Sequence, residues 1–143
     1  KNKQSLKIIG PYALNGGNFS LKGCPDLVPI MAVLALFAKE KTRLCDIAHA
    51  RAKESDRISD LRQELLRVGA RIREKEDELI IEPQANYRQN VLLDPHQDHR
   101  LAMAFSVLGL KIGTQIKNIE CVRKSYPEFV SDLCRIGGKL KKR

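Results

Sequence analysis

Two dense runs of apolar residues dominate the hydropathy pattern of the chain, at residues 27–38 and 101–110. A helix that is apolar on nearly every side packs in a protein interior, because no face of it is suited to solvent. The pattern therefore predicts two buried helices. The longer run has 12 residues and contains Pro29, so it is too short to span a bilayer.

After the first run, apolar residues recur at the helical spacing i, i+3, i+7 and i+10 and form one stripe. The stripe consists of Ile58, Leu61, Leu65 and Val68. Gly69 follows at the position where helices commonly end. A second amphipathic helix is predicted near the end of the chain, with Pro127 in its first turn. Its apolar positions are Phe129, Val130 and Leu133.

Short apolar segments flank the predicted helices and are typical of strands. Two of them are separated by a turn near Glu76 and Asp77, and this spacing predicts a β-hairpin. The predicted strands cover residues 19–21, 42–47, 71–74, 79–82, 91–93 and 115–119.

The chain resembles itself after a shift of 72 residues, because residues 19–61 align with residues 91–133 without a gap. The identical pairs include Asp26 with Asp98, Met31 with Met103, Arg51 with Arg123 and Ser59 with Ser131. A period of this length indicates one supersecondary unit that is used twice.

The order of the predicted elements defines this unit as β-α-β-α-β-β. Its first copy covers about residues 14–83 and its second about residues 88–138. Two such units predict an α/β fold in which sheets pack over the buried helices. The length of 143 residues, with 43% hydrophobic residues, suits a single domain and excludes wholesale disorder.

The net charge of +9 raises the question of a nucleic-acid partner. Three of the basic residues lie in residues 1–7 and four in residues 137–143, and neither segment contains an acidic residue. Basic residues at chain ends commonly solvate the termini. The chain has no tryptophan and does not interleave aromatic with basic residues, so nucleic-acid binding is the less favoured hypothesis.

The four cysteines are scattered and form no Cys-x-x-Cys pair, which argues against a zinc ribbon and a disulfide framework. No histidine, cysteine and carboxylate cluster has the spacing of metal ligands. The first residues lack the apolar segment and cleavage site of a secretory signal. These features predict a cytoplasmic protein with free thiols and no membrane partner.

Polar residues gather where predicted strands lead into helices, at Asp26 and at residues 49–57, 98–100 and 123–127. A helix N-terminus presents unpaired N–H groups and the positive end of the helix dipole, so it favours anions. Lysine and arginine at the same place add charge-assisted contacts to carboxylate or phosphate. The sequence therefore predicts anion-binding corners, and the repeat favours one shared cleft.

Each candidate residue also has a purely structural interpretation. Asp26 and Asp98, which the repeat pairs, fit helix N-caps. Glu54, Asp56 and Arg57 fit an exposed helix start with ordinary pairing three residues apart. His99 fits a packed imidazole without chemistry, and Lys124 fits a solvated surface lysine.

Four motifs occur in order along the chain. They are Cys24-Pro25-Asp26 ahead of the first buried helix, RAKESDR at residues 51–57, DHRLAMA at residues 98–104 and KSYPEF at residues 124–129. Together they resemble the signatures of the 5-enolpyruvylshikimate-3-phosphate synthase family, and the resemblance extends from about residue 14 to residue 134. The sister family that acts on UDP-N-acetylglucosamine shares the fold but lacks the KESDR and DHRxAM signatures.

The resemblance implies transfer of the enolpyruvyl group of phosphoenolpyruvate to the 5-hydroxyl of shikimate 3-phosphate, with release of phosphate. This addition and elimination requires no metal and no organic cofactor. Carried over by motif, Asp26 is the base toward the hydroxyl and Glu54 is the acid and base at the methylene. Lys124 is implied to serve phosphoenolpyruvate and proton transfer.

The substrate-binding residues are implied by the same motifs. Arg57 and Arg100 are implied to clamp the anionic groups of phosphoenolpyruvate. Lys53 and His49 are implied to line the shikimate 3-phosphate side, and the family often has asparagine at the position of His49. His99 is implied to be a neighbour of the reacting groups.

The family enzyme has two domains of three such units each, with the active site between them. Because this sequence contains two units, the resemblance implies one partial domain, without the third unit and the opposing N-terminal domain. It also implies that the isolated chain is inactive and that an exposed apolar flank favours self-association. The alternative is a non-catalytic anion- or nucleic-acid-binding module on the same repeat.

Overall fold

The computed structural model describes residues 9–10 and 12–141, and its strands form two sheets. The strands are β1 Gly17–Ser20, β2 Thr42–Cys45, β3 Arg71–Lys75, β4 Glu78–Glu82, β5 Val91–Leu93 and β6 Thr114–Ile116. The larger sheet has the order β1-β2-β4-β3, with β1 parallel to β2 and β4 antiparallel to both of its neighbours. β5 and β6 pair in parallel in the second sheet. The predicted hairpin is confirmed as β3–β4.

The described part of the chain contains four α-helices, in the predicted order. They are α1 Val28–Ala35, α2 Arg57–Arg67, α3 His99–Ile112 and α4 Phe129–Arg135. Three short 3₁₀ helices lie ahead of α1, α2 and α4. They are Pro25–Leu27, Ala48–Arg51 and Ile119–Lys124. The predicted α/β class is confirmed.

The two predicted buried helices, α1 and α3, pack against each other at the centre of the fold. Val33 of α1 and both Leu101 and Phe105 of α3 are almost or completely inaccessible to solvent. Leu44 of β2 and Leu79 of β4 are equally buried and belong to the same core cluster. Each fully buried side chain of this size contributes about 1.5–3 kcal/mol relative to an exposed one, so this packing stabilises the frame of the site.

The predicted amphipathic helix is confirmed as α2, both in the burial of its apolar face and in the residues where it begins and ends. Its apolar stripe is completely buried at Ile58, Leu61, Leu65 and Val68. The carboxylate of Asp56 caps the N-terminus by accepting a hydrogen bond from the backbone N–H of Ser59. Gly69 follows the helix with a φ of 86°, a conformation that glycine adopts without steric cost.

The repeat is visible in the backbone at the ends of β2 and β6. Asp46 and its repeat partner Asn118 both adopt positive φ, 58° and 47° respectively. Aspartate and asparagine tolerate this left-handed region better than other side chains do. The chain turns there into a 3₁₀ segment, so the predictions that these strands continue to Ile47 and Ile119 are wrong.

The second copy differs from the first in two further respects. Pro127 lies in the turn before α4, because Glu128 is the N-cap and Phe129 the first helical residue, so its predicted place inside the first turn is wrong. The described residues contain no counterpart of the hairpin β3–β4 after α4. Within residues 12–141 the unit β-α-β-α-β-β is therefore complete in the first copy and lacks its hairpin in the second.

Other features concern the surface of the chain. Within residues 9–10 and 12–141, no helix has the length and hydrophobicity needed to cross a membrane. The four cysteines are free thiols. Residues 1–7 and the last two of the basic segment 137–143 lie outside the described residues.

Large apolar side chains are exposed at Ile9, Tyr12, Leu110 and Ile136. Self-association through such side chains stays a prediction.

Candidate active site

Arg57, the first residue of α2, lies at the centre of the candidate site. Its side chain is only 1% exposed, and a buried cation requires ionic partners. Three carboxylates supply them: Nε donates to Asp98 Oδ2 at 2.7 Å, Nη1 to Asp26 Oδ1 at 2.9 Å and Nη2 to Glu54 Oε2 at 2.8 Å. The predicted pairing of Glu54 with Arg57 three residues apart is confirmed, but the interpretation of Arg57 as an exposed residue is wrong.

Asp98 connects this arginine to the start of α3. Its side chain is completely buried, and Oδ1 accepts hydrogen bonds from the backbone N–H groups of Arg100 at 2.7 Å and Leu101 at 3.4 Å. The N-cap interpretation of Asp98 is confirmed. Its ion pair with Arg57 was not predicted, and the only signal for it was the identity with Asp26 across the repeat.

Asp26 lies within the 3₁₀ helix before α1, and its carboxylate caps neither helix, so the N-cap interpretation fails for this residue. Each of its two carboxylate oxygens accepts a hydrogen bond from a different arginine. Arg57 binds Oδ1, and Arg100 Nη2 donates to Oδ2 at 3.0 Å. The Asp26 side chain is 48% exposed, so a ligand can reach it.

Glu54 is held in the same way as Asp26, with one cation on each oxygen. Arg57 binds Oε2, and Lys124 Nζ donates to Oε1 at 3.2 Å. The buried His99 places Nδ1 at 3.6 Å from the same Oε1. Glu54 is therefore the point where the segment after Ala48–Arg51, the start of α3 and the end of Ile119–Lys124 converge.

The electrostatic environment keeps both carboxylates ionised. Burial raises the pKa of Asp26, but the hydrogen bond from Arg57 and the charges of Arg100 and Lys53 outweigh it and hold the pKa below its usual value. Burial also raises the pKa of Glu54, but its own backbone N–H, the ammonium of Lys124 and the charge of Arg57 outweigh burial and hold the pKa below its usual value. At neutral pH both groups are therefore bases rather than acids.

This arrangement makes the stability of the chain depend on pH. Because the pKa of Asp26 is lowered by folding, its contribution is complete above the pKa of the unfolded chain and is lost as pH falls through the folded value. We expect Asp26→Asn to lower the free energy of unfolding at pH 7, with the difference from wild type shrinking below about pH 5. Denaturant unfolding at several pH values measures this difference.

The matched control is Asp46→Asn, which makes the same exchange at an exposed aspartate. The equivalent position of the repeat is Asn118, so asparagine suits the backbone there. We expect its stability difference from wild type to be small at each pH. A constant difference between wild type and Asp26→Asn from pH 7 to pH 3 would contradict the ionic role of Asp26.

The structure brings together most of the predicted site residues. They are Asp26, Glu54, Arg57, His99, Arg100 and Lys124. Lys53 is exposed and acts on Asp26 through its charge. His49 lies exposed in the 3₁₀ helix Ala48–Arg51 and makes no hydrogen bond with another described residue. Lys53 likewise makes no hydrogen bond or ion pair with another described residue, so His49 and Lys53 are the two predicted residues outside this contact network.

Several polar atoms at this site have no protein partner. Ser55 Oγ, His99 Nδ1 and Arg100 Nε are buried and lack a hydrogen bond to any described residue. An unpaired buried polar group costs about 1–3 kcal/mol, so the site is suited to a ligand or water that supplies partners. Among residues 9–10 and 12–141, no group of three or more histidine, cysteine and acidic residues is placed to hold a metal ion.

Solved structures with the same fold define the class of protein. An enolpyruvyl transferase, NikO from Streptomyces tendae, matches 90% of this chain with 29% of its own at a TM-score of 0.72 and 21% identity, a likeness of fold. EPSP synthase from Acinetobacter baumannii matches 90% of this chain with 32% of its own, at a TM-score of 0.80 and 29% identity. The fold is that of the enolpyruvyl transferases.

Sequence comparisons narrow this class to a family. The model of the EPSP synthase (3-phosphoshikimate 1-carboxyvinyltransferase) family matches residues 1–133, so the chain belongs to that family. The 3-phosphoshikimate 1-carboxyvinyltransferase of Methanococcus maripaludis is 42% identical over 98% of this chain. The enzyme of that name from Nitrosopumilus maritimus is 38% identical over 96%. The chain spans about a third of the length of these relatives, 33% in both cases.

Proposed function

We propose that this chain forms one face of an active site that transfers the enolpyruvyl group of phosphoenolpyruvate to the 5-hydroxyl of shikimate 3-phosphate and releases phosphate. The opposing face belongs to a longer protein that contains this chain and has the length of its relatives. That protein is called the full-length enzyme below. The observation that carries the proposal is the pairing of Asp26 and Glu54 with one buried arginine and with two accessible cations.

The reaction requires a base for the hydroxyl, an acid for the methylene carbon and cations for the substrate anions. In the addition step, Asp26 takes the hydroxyl proton as the oxygen bonds to C2 of phosphoenolpyruvate, and protonated Glu54 delivers a proton to the methylene carbon. In the elimination step, the Glu54 carboxylate removes a proton from the new methyl group. The double bond then re-forms as the C–O bond to phosphate breaks, and the departing phosphate takes the proton that Asp26 received, so both carboxyl groups return to their starting protonation.

Substrate anions supply the change in protonation that this sequence needs. Arg100 and Lys124 each bind the outer oxygen of one carboxylate in the structure. Phosphoenolpyruvate that binds these cations draws them away from Asp26 and Glu54 and adds negative charge beside both. Losing a cation and gaining an anion both raise the pKa of a carboxylic acid. The two carboxylates thereby gain the basicity that proton transfer requires once substrate is bound.

Arg57 fits a supporting role better than the direct clamp that the resemblance implies. Its side chain is 1% exposed and its three nitrogens already face carboxylates, whereas Arg100 is 37% and Lys124 61% exposed. We assign the phosphoenolpyruvate contacts to Arg100 and Lys124 and the orientation of Asp26 and Glu54 to Arg57. Further residues remain proposed contacts, His99 beside Glu54 and both Lys53 and His49 toward shikimate 3-phosphate.

The test is phosphate release by the full-length enzyme, which we expect to require both substrates. A charge-assisted hydrogen bond contributes about 1.5–3 kcal/mol, so Arg100→Ala should raise the KM for phosphoenolpyruvate by about 10- to 100-fold. The KM for shikimate 3-phosphate should change little. Initial rates measured against each substrate in turn give both constants.

Arg73→Ala is the matched control, because Arg73 lies on β3 with a side chain that is 68% exposed. Its kinetic constants should equal those of wild type. An unchanged KM for phosphoenolpyruvate in Arg100→Ala would contradict the role of Arg100. Release of phosphate without shikimate 3-phosphate, or no release at all, would contradict the proposed function itself.

A further inference from the structure

Arg51, at the end of the 3₁₀ helix Ala48–Arg51, binds the tip of the hairpin β3–β4. Its Nη1 donates to Glu74 Oε1 at 2.7 Å, its Nη2 to the backbone carbonyl of Lys75 at 2.8 Å and its Nε to the carbonyl of Glu76 at 3.0 Å. The Arg51 side chain is 26% exposed, so these contacts are partly shielded from water. One side chain thus attaches the end of the 3₁₀ helix, just ahead of Lys53 and Glu54, to the hairpin through three hydrogen bonds.

The same guanidinium also contacts the start of α2. Nη1 lies 3.2 Å from Asp56 Oδ2 and 3.1 Å from Ser59 Oγ. Asp56 is the N-cap of α2, and Arg57 is the first residue of that helix. Ser59 Oγ in turn donates to Glu74 Oε1 at 2.7 Å, which closes a network between the helix and the hairpin. Arg51 therefore connects the start of α2 to the hairpin.

Residues 52–55, which carry Lys53 and Glu54, lie between these two attachments. They form bends and belong to no helix or strand. The backbone alone therefore holds them weakly, while Arg51 holds the near end directly and the far end through Asp56. The direction in which Glu54 points depends on both ends of this short segment.

We propose that Arg51 is a positioning residue for the transfer reaction, which fixes the segment 52–55 so that Glu54 meets its cations and the substrate. The inference rests on the proposed function. The shape of the guanidinium matters, because a planar group with five N–H donors can serve two carboxylates and two carbonyls together. A lysine ammonium is a point charge on a flexible stem and cannot bridge these acceptors.

The repeat provides an internal comparison. Arg123 is the repeat partner of Arg51, and it is exposed. The second copy has no hairpin after α4 among the described residues, so it offers Arg123 no turn to bind. The contacts of Arg51 thus depend on the hairpin that completes the first unit.

The experiment uses Arg51→Lys and Arg51→Met in the full-length enzyme, with Arg73→Ala as the control on the outer face of the same hairpin. A small misplacement of a catalytic group costs up to about 100-fold in rate, so we expect kcat to fall by about 10- to 100-fold in both variants. The KM values should stay within about threefold, because the donors of Arg51 are engaged by the hairpin and the start of α2. Arg73→Ala should match wild type.

Hydrogen exchange measured by mass spectrometry on the same variants reports the position of the segment without any turnover. We expect amides of residues 48–56 to exchange at least about tenfold faster in both variants, with the core helices α1 and α3 unchanged. Wild-type kcat in Arg51→Met, or full recovery of kcat by Arg51→Lys, would overturn the proposal. Faster exchange throughout the chain would also overturn it, because Arg51 would then support the whole fold.

The two proposals fail in distinguishable ways. If wild-type enzyme releases no phosphate, the proposed function fails and the catalytic role of Arg51 fails with it. The exchange data would still decide whether Arg51 holds residues 48–56. If wild type is active and Arg51→Met retains its kcat, the proposed function stands and only the positioning role is lost.

Discussion

Glu54→Gln in the full-length enzyme is expected to lower kcat by about 10²- to 10⁴-fold, the range found when a proton-transfer group is removed. Glutamine keeps the size of the side chain and one carbonyl oxygen, which can accept a hydrogen bond from Arg57 or from Lys124, but it neither donates a proton to carbon nor removes one. The KM values for both substrates should therefore change little. Steady-state phosphate release, followed against each substrate, measures all three constants.

Glu76→Gln is the matched control for this experiment, because Glu76 is an exposed residue in the turn between β3 and β4. It should show the kcat of wild type. Loss of binding with unchanged kcat in Glu54→Gln would make Glu54 a ligand rather than a proton carrier. A kcat within threefold of wild type would remove Glu54 from the chemistry.

Arg57→Met is expected to have the largest effect on stability. It leaves the completely buried Asp98 without its cation and removes one partner each from Asp26 and Glu54. Breaking a buried ion pair by removing one partner costs about 3–5 kcal/mol, because the remaining charge stays in a poorly solvating interior. Denaturant unfolding of the chain, with the variant compared with wild type, measures this loss.

A double-mutant cycle with Asp98→Asn tests the cause of that loss. Asparagine can still accept the N-cap hydrogen bonds of α3 but leaves no buried charge. We therefore expect the double variant to be more stable than Arg57→Met alone, with a coupling of about 1–3 kcal/mol. Losses that simply add would show that Arg57 stabilises through its packing and not through Asp98.

The fold was predictable where a local pattern reports burial. The helices α1 and α3 follow from two runs that have no polar face, and α2 follows from a stripe that ends at Gly69. The ends of β2 and β6 were not predictable from that pattern. Apolar character continues to Ile47, but the left-handed backbone of Asp46 turns the chain away from the strand one residue earlier.

The candidate site was likewise predictable only where its features are local along the chain. Residue type and spacing alone predicted cations and carboxylates at helix N-termini, and this is confirmed for Arg57, Asp98 and Arg100 because a helix start is a local feature of the chain. The prediction is wrong for Lys124, which lies at the end of the 3₁₀ helix Ile119–Lys124. Tertiary structure alone decided that Arg57 is a buried centre for three carboxylates and that His49 stays outside the network. Asp26 and Asp98 reach Arg57 from 31 and 41 residues away. Such pairings depend on how helices and sheets pack, which no local periodicity encodes.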